Sequence, residues 1–151
     1  MSTMYRSSTG YTSSFAHYKQ DTLYSTPILL VDDDIDLLYA FELILKDEGY
    51  KNVKTYPDAK SALKYTMGNI KKYKLAILDI RMPDINGIQL YQMLKILNPS
   101  IKVMFITSLD SVKELASIFS EVTDKDILRK PVHQKQLIET VNNKVSTLLL
   151  L

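Results

Sequence analysis

Short apolar runs that stop abruptly at a charged or hydroxylated residue constrain this chain more than any other feature. Residues 28–31, Ile-Leu-Leu-Val, run straight into Asp32, Asp33 and Asp34. Residues 75–78, Leu-Ala-Ile-Leu, end at Asp79. The run from Ile101 to Ile106 ends at Thr107 and Ser108, and the short run 126–129 ends at Lys130 and Pro131. An uninterrupted apolar run of this length suits a strand buried on both faces, as in a parallel sheet, and not the alternating pattern of a half-exposed strand. A further short run, 53–56, lies between the first two.

Helical periodicity fills the gaps. Leu37, Leu38, Phe41, Ile44 and Leu45 recur at helical spacing after the first run, with Asp34 or Asp36 to cap the start and Gly49 to stop the end. Asp58 caps a helix expected to reach about Met67 and to end at Gly68. Further helices are expected over 88–97, 110–120 and 134–147. Five strands each followed by a helix predict an α/β, doubly wound, five-stranded parallel sheet. With strand order 2-1-3-4-5, the first and third strands are neighbours. Asp33 and Asp79 then face each other at the switch point beyond the carboxyl ends of the strands, where open α/β sheets bind ligands.

The flanks read differently. Eleven of residues 1–26 are Ser or Thr, with apolar residues scattered aperiodically, so this segment is expected to be a solvated, mobile tail. Residues 27–147 form the folded domain, and four leucines, 148–151, make an apolar end. The chain has no cysteine and two histidines, which excludes disulfides, thiolate chemistry and a His-rich metal site. A net charge of +2 offers no general argument for nucleic acid or an anionic membrane. No apolar run is long enough to span a bilayer and no signal-type stretch is visible, so a cytoplasmic location is expected.

Carboxylates gathered at one crevice repel each other, and a divalent cation relieves the repulsion. Hard oxygen donors suit Mg²⁺, which keeps water and phosphate oxygens among its ligands. Lys130 adds a compact positive charge and Thr107 a hydroxyl. Nucleophilic carboxylate, metal, ammonium and hydroxyl together can form and stabilise an aspartyl phosphate.

At these residues the chain resembles the receiver domains of two-component response regulators. Leu30-Val31-Asp32-Asp33-Asp34 looks like the family's first acidic motif, and 79–87, Asp-Ile-Arg-Met-Pro-Asp-Ile-Asn-Gly, is similar to its D-x-x-M-P-x-x-x-G signature. Thr107-Ser108 and Lys130-Pro131 match its remaining pairs, in order, over nearly the whole of residues 27–145. The resemblance implies Asp79 as phosphoacceptor, Asp33 as a direct Mg²⁺ ligand, Asp32 as a ligand through water and the Arg81 carbonyl as a further ligand. It implies that Lys130 pairs with the phosphoryl group, that Thr107 hydrogen-bonds it and that Ser108 leaves the approach open. It also implies a cis peptide at Pro131. The donor would be a histidine kinase or phosphotransfer protein, and a downstream protein would read the face formed by residues 110–120, 126–129 and 134–147. Neither nucleic acid nor membrane is expected as a direct partner, and the unit would be a monomer or a phosphorylation-dependent dimer. Such a domain is a regulator, not an enzyme with its own substrate.

Three departures shape the expectation. Ile127 stands where the family often has an aromatic switch residue, and the loop 121–126 lacks a Gly-Ala pair. Leu109 and the long Arg81 could hinder a hydrolytic water, so slow loss of the phosphoryl group is expected. Two rival readings are a haloacid-dehalogenase-type phosphohydrolase, with its nucleophile in Asp32-Asp33-Asp34, and a degenerate receiver acting only as a scaffold.

Overall fold

The computed structural model describes residues 9–108 and 122–150. Helix α1 (Thr9–Tyr24) precedes β1 (Ile28–Val31), α2 (Ile35–Glu48), β2 (Val53–Tyr56) and α3 (Ala59–Thr66). After a 3₁₀ segment (Met67–Lys72) come β3 (Leu75–Asp79), α4 (Gly87–Leu97) and β4 (Lys102–Thr107). A second 3₁₀ turn (Asp124–Asp126) leads into β5 (Ile127–Arg129) and α5 (Gln134–Leu149). The expected helix over 110–120 and Leu109 lie outside the described residues.

All strands pair in parallel in the order β2-β1-β3-β4-β5. Every residue of β1 and β3 is buried, as their unbroken apolar runs require. Side chains alternate between two cores. Leu29, Val31, Ala76, Leu78 and Phe105 join Ala62 of α3 and Leu90 and Leu94 of α4 on one face. Ile28, Leu30, Leu75, Ile77 and Ile106 join Phe41 and Leu45 of α2 and Leu137, Val141 and Val145 of α5 on the other.

Two sequence expectations are corrected. The Ser/Thr-rich segment read as a mobile tail is helical from Thr9 to Tyr24, and its end is anchored. The Lys51 N–H donates to the Tyr24 carbonyl at 2.9 Å, and the Tyr24 ring meets the Tyr50 ring edge-on at 5.3 Å. Leu23 and Tyr24 supply the apolar anchor, which a period-free run of Ser and Thr gave no reason to expect. Gly68 does not end the chain's helical path, which continues as 3₁₀ to Lys72. The buried Asn98 carboxamide holds that segment by donating to the Ile70 carbonyl at 3.0 Å and the Tyr73 carbonyl at 2.9 Å. Gly49 does stop α2, adopting φ 126 while its N–H reaches back to the Leu45 and Lys46 carbonyls. The first two of the four terminal leucines belong to α5 itself.

Candidate functional site

The polar residues that terminate β1, β3, β4 and β5 all arrive at one edge of the sheet because the strands are parallel. Oxygens of Asp32, Asp33 and Asp79 lie within 4.8 Å of one another. Asp32 and Asp79 are 1 % and 4 % exposed, whereas Asp33 faces solvent. Lys130 reaches across from the end of β5, its Nζ 3.0 Å from Asp32 Oδ2 and 3.4 Å from Asp79 Oδ2. The Lys130 N–H donates to the Thr107 carbonyl at 2.9 Å, and the Lys130–Pro131 peptide is cis.

The local sequence explains the precision. Asp32 Oδ1 accepts the Asp34 N–H at 2.9 Å while Asp34 caps α2 by accepting the Leu37 N–H at 3.1 Å. The consecutive aspartates therefore divide the labour: Asp32 turns the chain into the site and Asp34 starts the helix. Asn86 and Gln89 form a capping box that begins α4 directly after the Asp79 loop. Gly87 matters for closeness of approach. A Cβ there would come within 2.1 Å of the Asp79 carbonyl oxygen. Asp84, three residues earlier in the loop, adopts positive φ, at 65°, with its carboxylate 3.3 Å from Lys60. An Asp in a Pro-Asp turn is a recognisable carrier of that conformation, but its partner Lys60, 24 residues earlier, left no local signal.

Among the described residues, charge is unbalanced in this crevice, with three carboxylates around one ammonium. Burial and the neighbouring Asp32 push the Asp79 carboxyl up to about 7, with Lys130 opposing the rise. Burial works against the Lys130 charge, but the Asp32 hydrogen bond and the two carboxylates outweigh it and hold Lys130 above its ordinary range. The donor set is all hard oxygen, partly buried and short of positive charge. It fits a divalent cation that prefers carboxylate and water.

Thr107 ends β4 fully buried, and Ser108 follows it exposed. Arg81 lies two residues beyond Asp79 with an exposed side chain, and Met82 beside it is buried as packing. Ile127 opens β5, buried in the core of the α3 and α4 face and in register with Phe105 of β4, which pairs with Leu78 just before Asp79.

A family model of the response regulator receiver domain matches residues 28–142. The chain belongs to that family. Its receiver domain is 28 % identical over 115 residues to the cell cycle transcriptional regulator CtrA of Caulobacter vibrioides, across 76 % of this chain and 48 % of that protein. It is 34 % identical over 119 residues to the CpxR homolog of Haemophilus influenzae, with the same coverage of 76 % and 48 %. The chain thus spans about half the length of the curated relatives it matches. Among solved structures, the CheY-like receiver domain protein of Methanospirillum hungatei superposes with a TM-score of 0.71 at 29 % identity, covering 82 % of this chain and 95 % of that one. Receiver membership leaves the dehalogenase-type reading without support.

Proposed function

We propose that this receiver domain is a phosphorelay switch whose acceptor is Asp79. One observation carries the reading: a carboxylate buried at the end of the central strand, crowded by Asp32 and Asp33 and faced by the Lys130 ammonium. In the reaction, an Asp79 Oδ attacks the phosphorus of a phosphohistidine on a histidine kinase or phosphotransfer protein. The P–N bond breaks and the imidazole leaves as the Asp79 O–P bond forms.

The attacking form is the ionised carboxylate, which this site disfavours until its negative charge is offset. Asp32, Asp33 and Asp79, with the Arg81 carbonyl, would hold Mg²⁺. When bound, the ion offsets charge on the carboxylates and on the transferring phosphoryl oxygens. Lys130 already stands between Asp32 and Asp79, so it can follow the phosphoryl oxygens without a change of backbone. Thr107 would hydrogen-bond the phosphoryl group after transfer, and exposed Ser108 keeps the approach unobstructed. The consequence is a change at the face carried by β5 and α5, which a downstream protein would read. With Ile127 in the aromatic position, that change would be a repacking of a branched aliphatic. The domain thus signals in the cytoplasm and has no substrate to turn over.

Incubation with acetyl phosphate and Mg²⁺ tests this by intact mass. A gain of one phosphoryl group in wild type, absent without Mg²⁺ and absent in Asp79→Asn, supports the reading. A gain that survives Asp79→Asn sinks it.

A further inference from the structure

The edge of the sheet opposite Asp79 carries a concentration of charge of the other sign. Lys74 and Lys102 stand side by side there, the Lys102 N–H donating to the Lys74 carbonyl at 2.9 Å, and both side chains are exposed. They line one depression of about 340 Å³ together with Lys95 and with Leu148 and Leu149 at the end of α5. Lys102 also lines an adjoining depression of about 510 Å³ with Lys125 and Lys144. Leu149 lines a third, of about 940 Å³, where Phe15, Tyr18 and Lys19 of α1 meet Leu150. Shared residues therefore join the three into one surface. Among the described residues, six lysines border it against two acids, Asp124 and Asp126, and Asp126 and Lys144 are engaged with each other. The chain's small net charge conceals this segregation.

Apolar side chains protrude within the same surface, Tyr18 72 % and Leu150 82 % exposed, with Phe15 and Leu149 also open to solvent. Either feature alone is ordinary, because single exposed apolar residues and solvated lysines occur on every protein. Their adjacency is not. Leucines and aromatics that can enter the headgroup layer, ringed by lysines whose stems lie along apolar surface while their ammonium groups reach phosphate, match a surface that lies on an anionic bilayer. Nucleic acid would be bound through its phosphates and would leave the apolar tips without a partner.

The geometry points to the amino edge of the sheet as a peripheral docking surface for an anionic lipid bilayer, with Phe15, Tyr18, Leu149 and Leu150 entering the interface and Lys74 and Lys102 pairing with lipid phosphates. Docked in this way, the domain presents the Asp79 edge to the solvent. The inference is independent of the phosphoacceptor reading, because none of these residues belongs to that site.

Flotation of the full chain with vesicles tests it. The chain should float with vesicles of equal parts phosphatidylcholine and phosphatidylglycerol, should remain behind with phosphatidylcholine alone, and should release as salt screens the lysines. The double variant Lys74→Glu, Lys102→Glu should lower partitioning by at least about tenfold. Leu149→Ser with Leu150→Ser should lower it at constant charge. Lys135→Glu, at an exposed lysine near the opposite edge, should leave it unchanged. Melting followed by circular dichroism verifies that each variant is folded. Absence of flotation with the anionic vesicles, or equal flotation with both kinds, overturns the inference. Capture by polyglutamate or duplex DNA without flotation likewise overturns it and assigns the lysines to an acidic protein or to nucleic acid.

Discussion

Among the described residues, two partly buried lysine–aspartate clusters lie at opposite edges of one sheet, and their difference is instructive. At the carboxyl edge, Lys130 meets Asp32 and Asp79 with Asp33 close by, so negative charge is in excess. At the amino edge, Lys144 of α5 pairs with Asp126 just ahead of β5, and Lys102 repels it. Asp126 is held further by the Thr123 N–H at 2.8 Å and the Thr123 hydroxyl at 3.2 Å. The two lysines shift in opposite directions because of what surrounds each ion pair. Lys130 is held above its ordinary range, while burial and Lys102 bring Lys144 down to about 8. The first cluster calls for a cation and has an open side to receive one. The second is a structural tie between β5 and α5 within a surface rich in positive charge.

The largest effect should follow from unbalancing the first cluster. Lys130→Met leaves Asp32 and Asp79 facing each other without an ammonium, and should slow phosphorylation by acetyl phosphate about a hundredfold or more. Single-turnover kinetics would measure it, and a loss under fivefold would remove Lys130 from the account. Gly87→Ala should come next, because its methyl group would collide with the Asp79 backbone. A stability loss of about 1–3 kcal/mol by urea titration is expected, with weakened phosphorylation.

Metal and pH sharpen the comparison further. With its pKa raised to about 7, Asp79 binds its proton more tightly folded than unfolded, so its unfavourable contribution develops as pH rises toward 7. Mg²⁺ should therefore raise the melting temperature more at pH 8 than at pH 5, and should lose most of this effect in Asp79→Asn. An equal shift at both pH values would contradict the placement of the ion.

Lys144→Met should have the smallest effect, about 1–2 kcal/mol, because Asp126 keeps its Thr123 hydrogen bonds. Its pH dependence has a definite sign. Lys144 releases its proton near 8 in the folded chain and near 10.5 unfolded, so the wild type gains stability relative to the variant between those values. Lys130 runs the other way, its raised pKa giving stability that is present below 10.5 and lost above it. Urea titrations across that window, for both variants, would show whether the two clusters differ as described.

Much of this was legible in the sequence because the informative residues sit where periodicity changes. Runs such as 28–31 and 75–78 mark buried strands, and whatever ends a parallel strand must lie at the common edge, which brings Asp32, Asp79, Thr107 and Lys130 together before any distance is known. Contacts between distant segments were not legible in the same way. Nothing near Asn98 says that its carboxamide will hold Ile70 and Tyr73. Helix α1 has no apolar stripe, so its docking through Leu23 and Tyr24 is a tertiary effect. Lys144 did leave a trace, since it falls seven residues after Leu137 on the buried side of α5, and a lysine at such a position asks for a carboxylate partner. The signature marked Gly87, but the need for closeness to Asp79 appears only when α4 packs beneath β3.

The central claim is that Asp79 carries the phosphoryl group, and chemical trapping addresses it most directly. Borohydride reduces an aspartyl phosphate to homoserine, so the phosphorylated chain should yield, after proteolysis and peptide sequencing, homoserine at position 79 and unmodified Asp32 and Asp33. Homoserine at either of those two positions, or a stable phosphate on a hydroxyl of the first 26 residues with position 79 intact, would contradict the account.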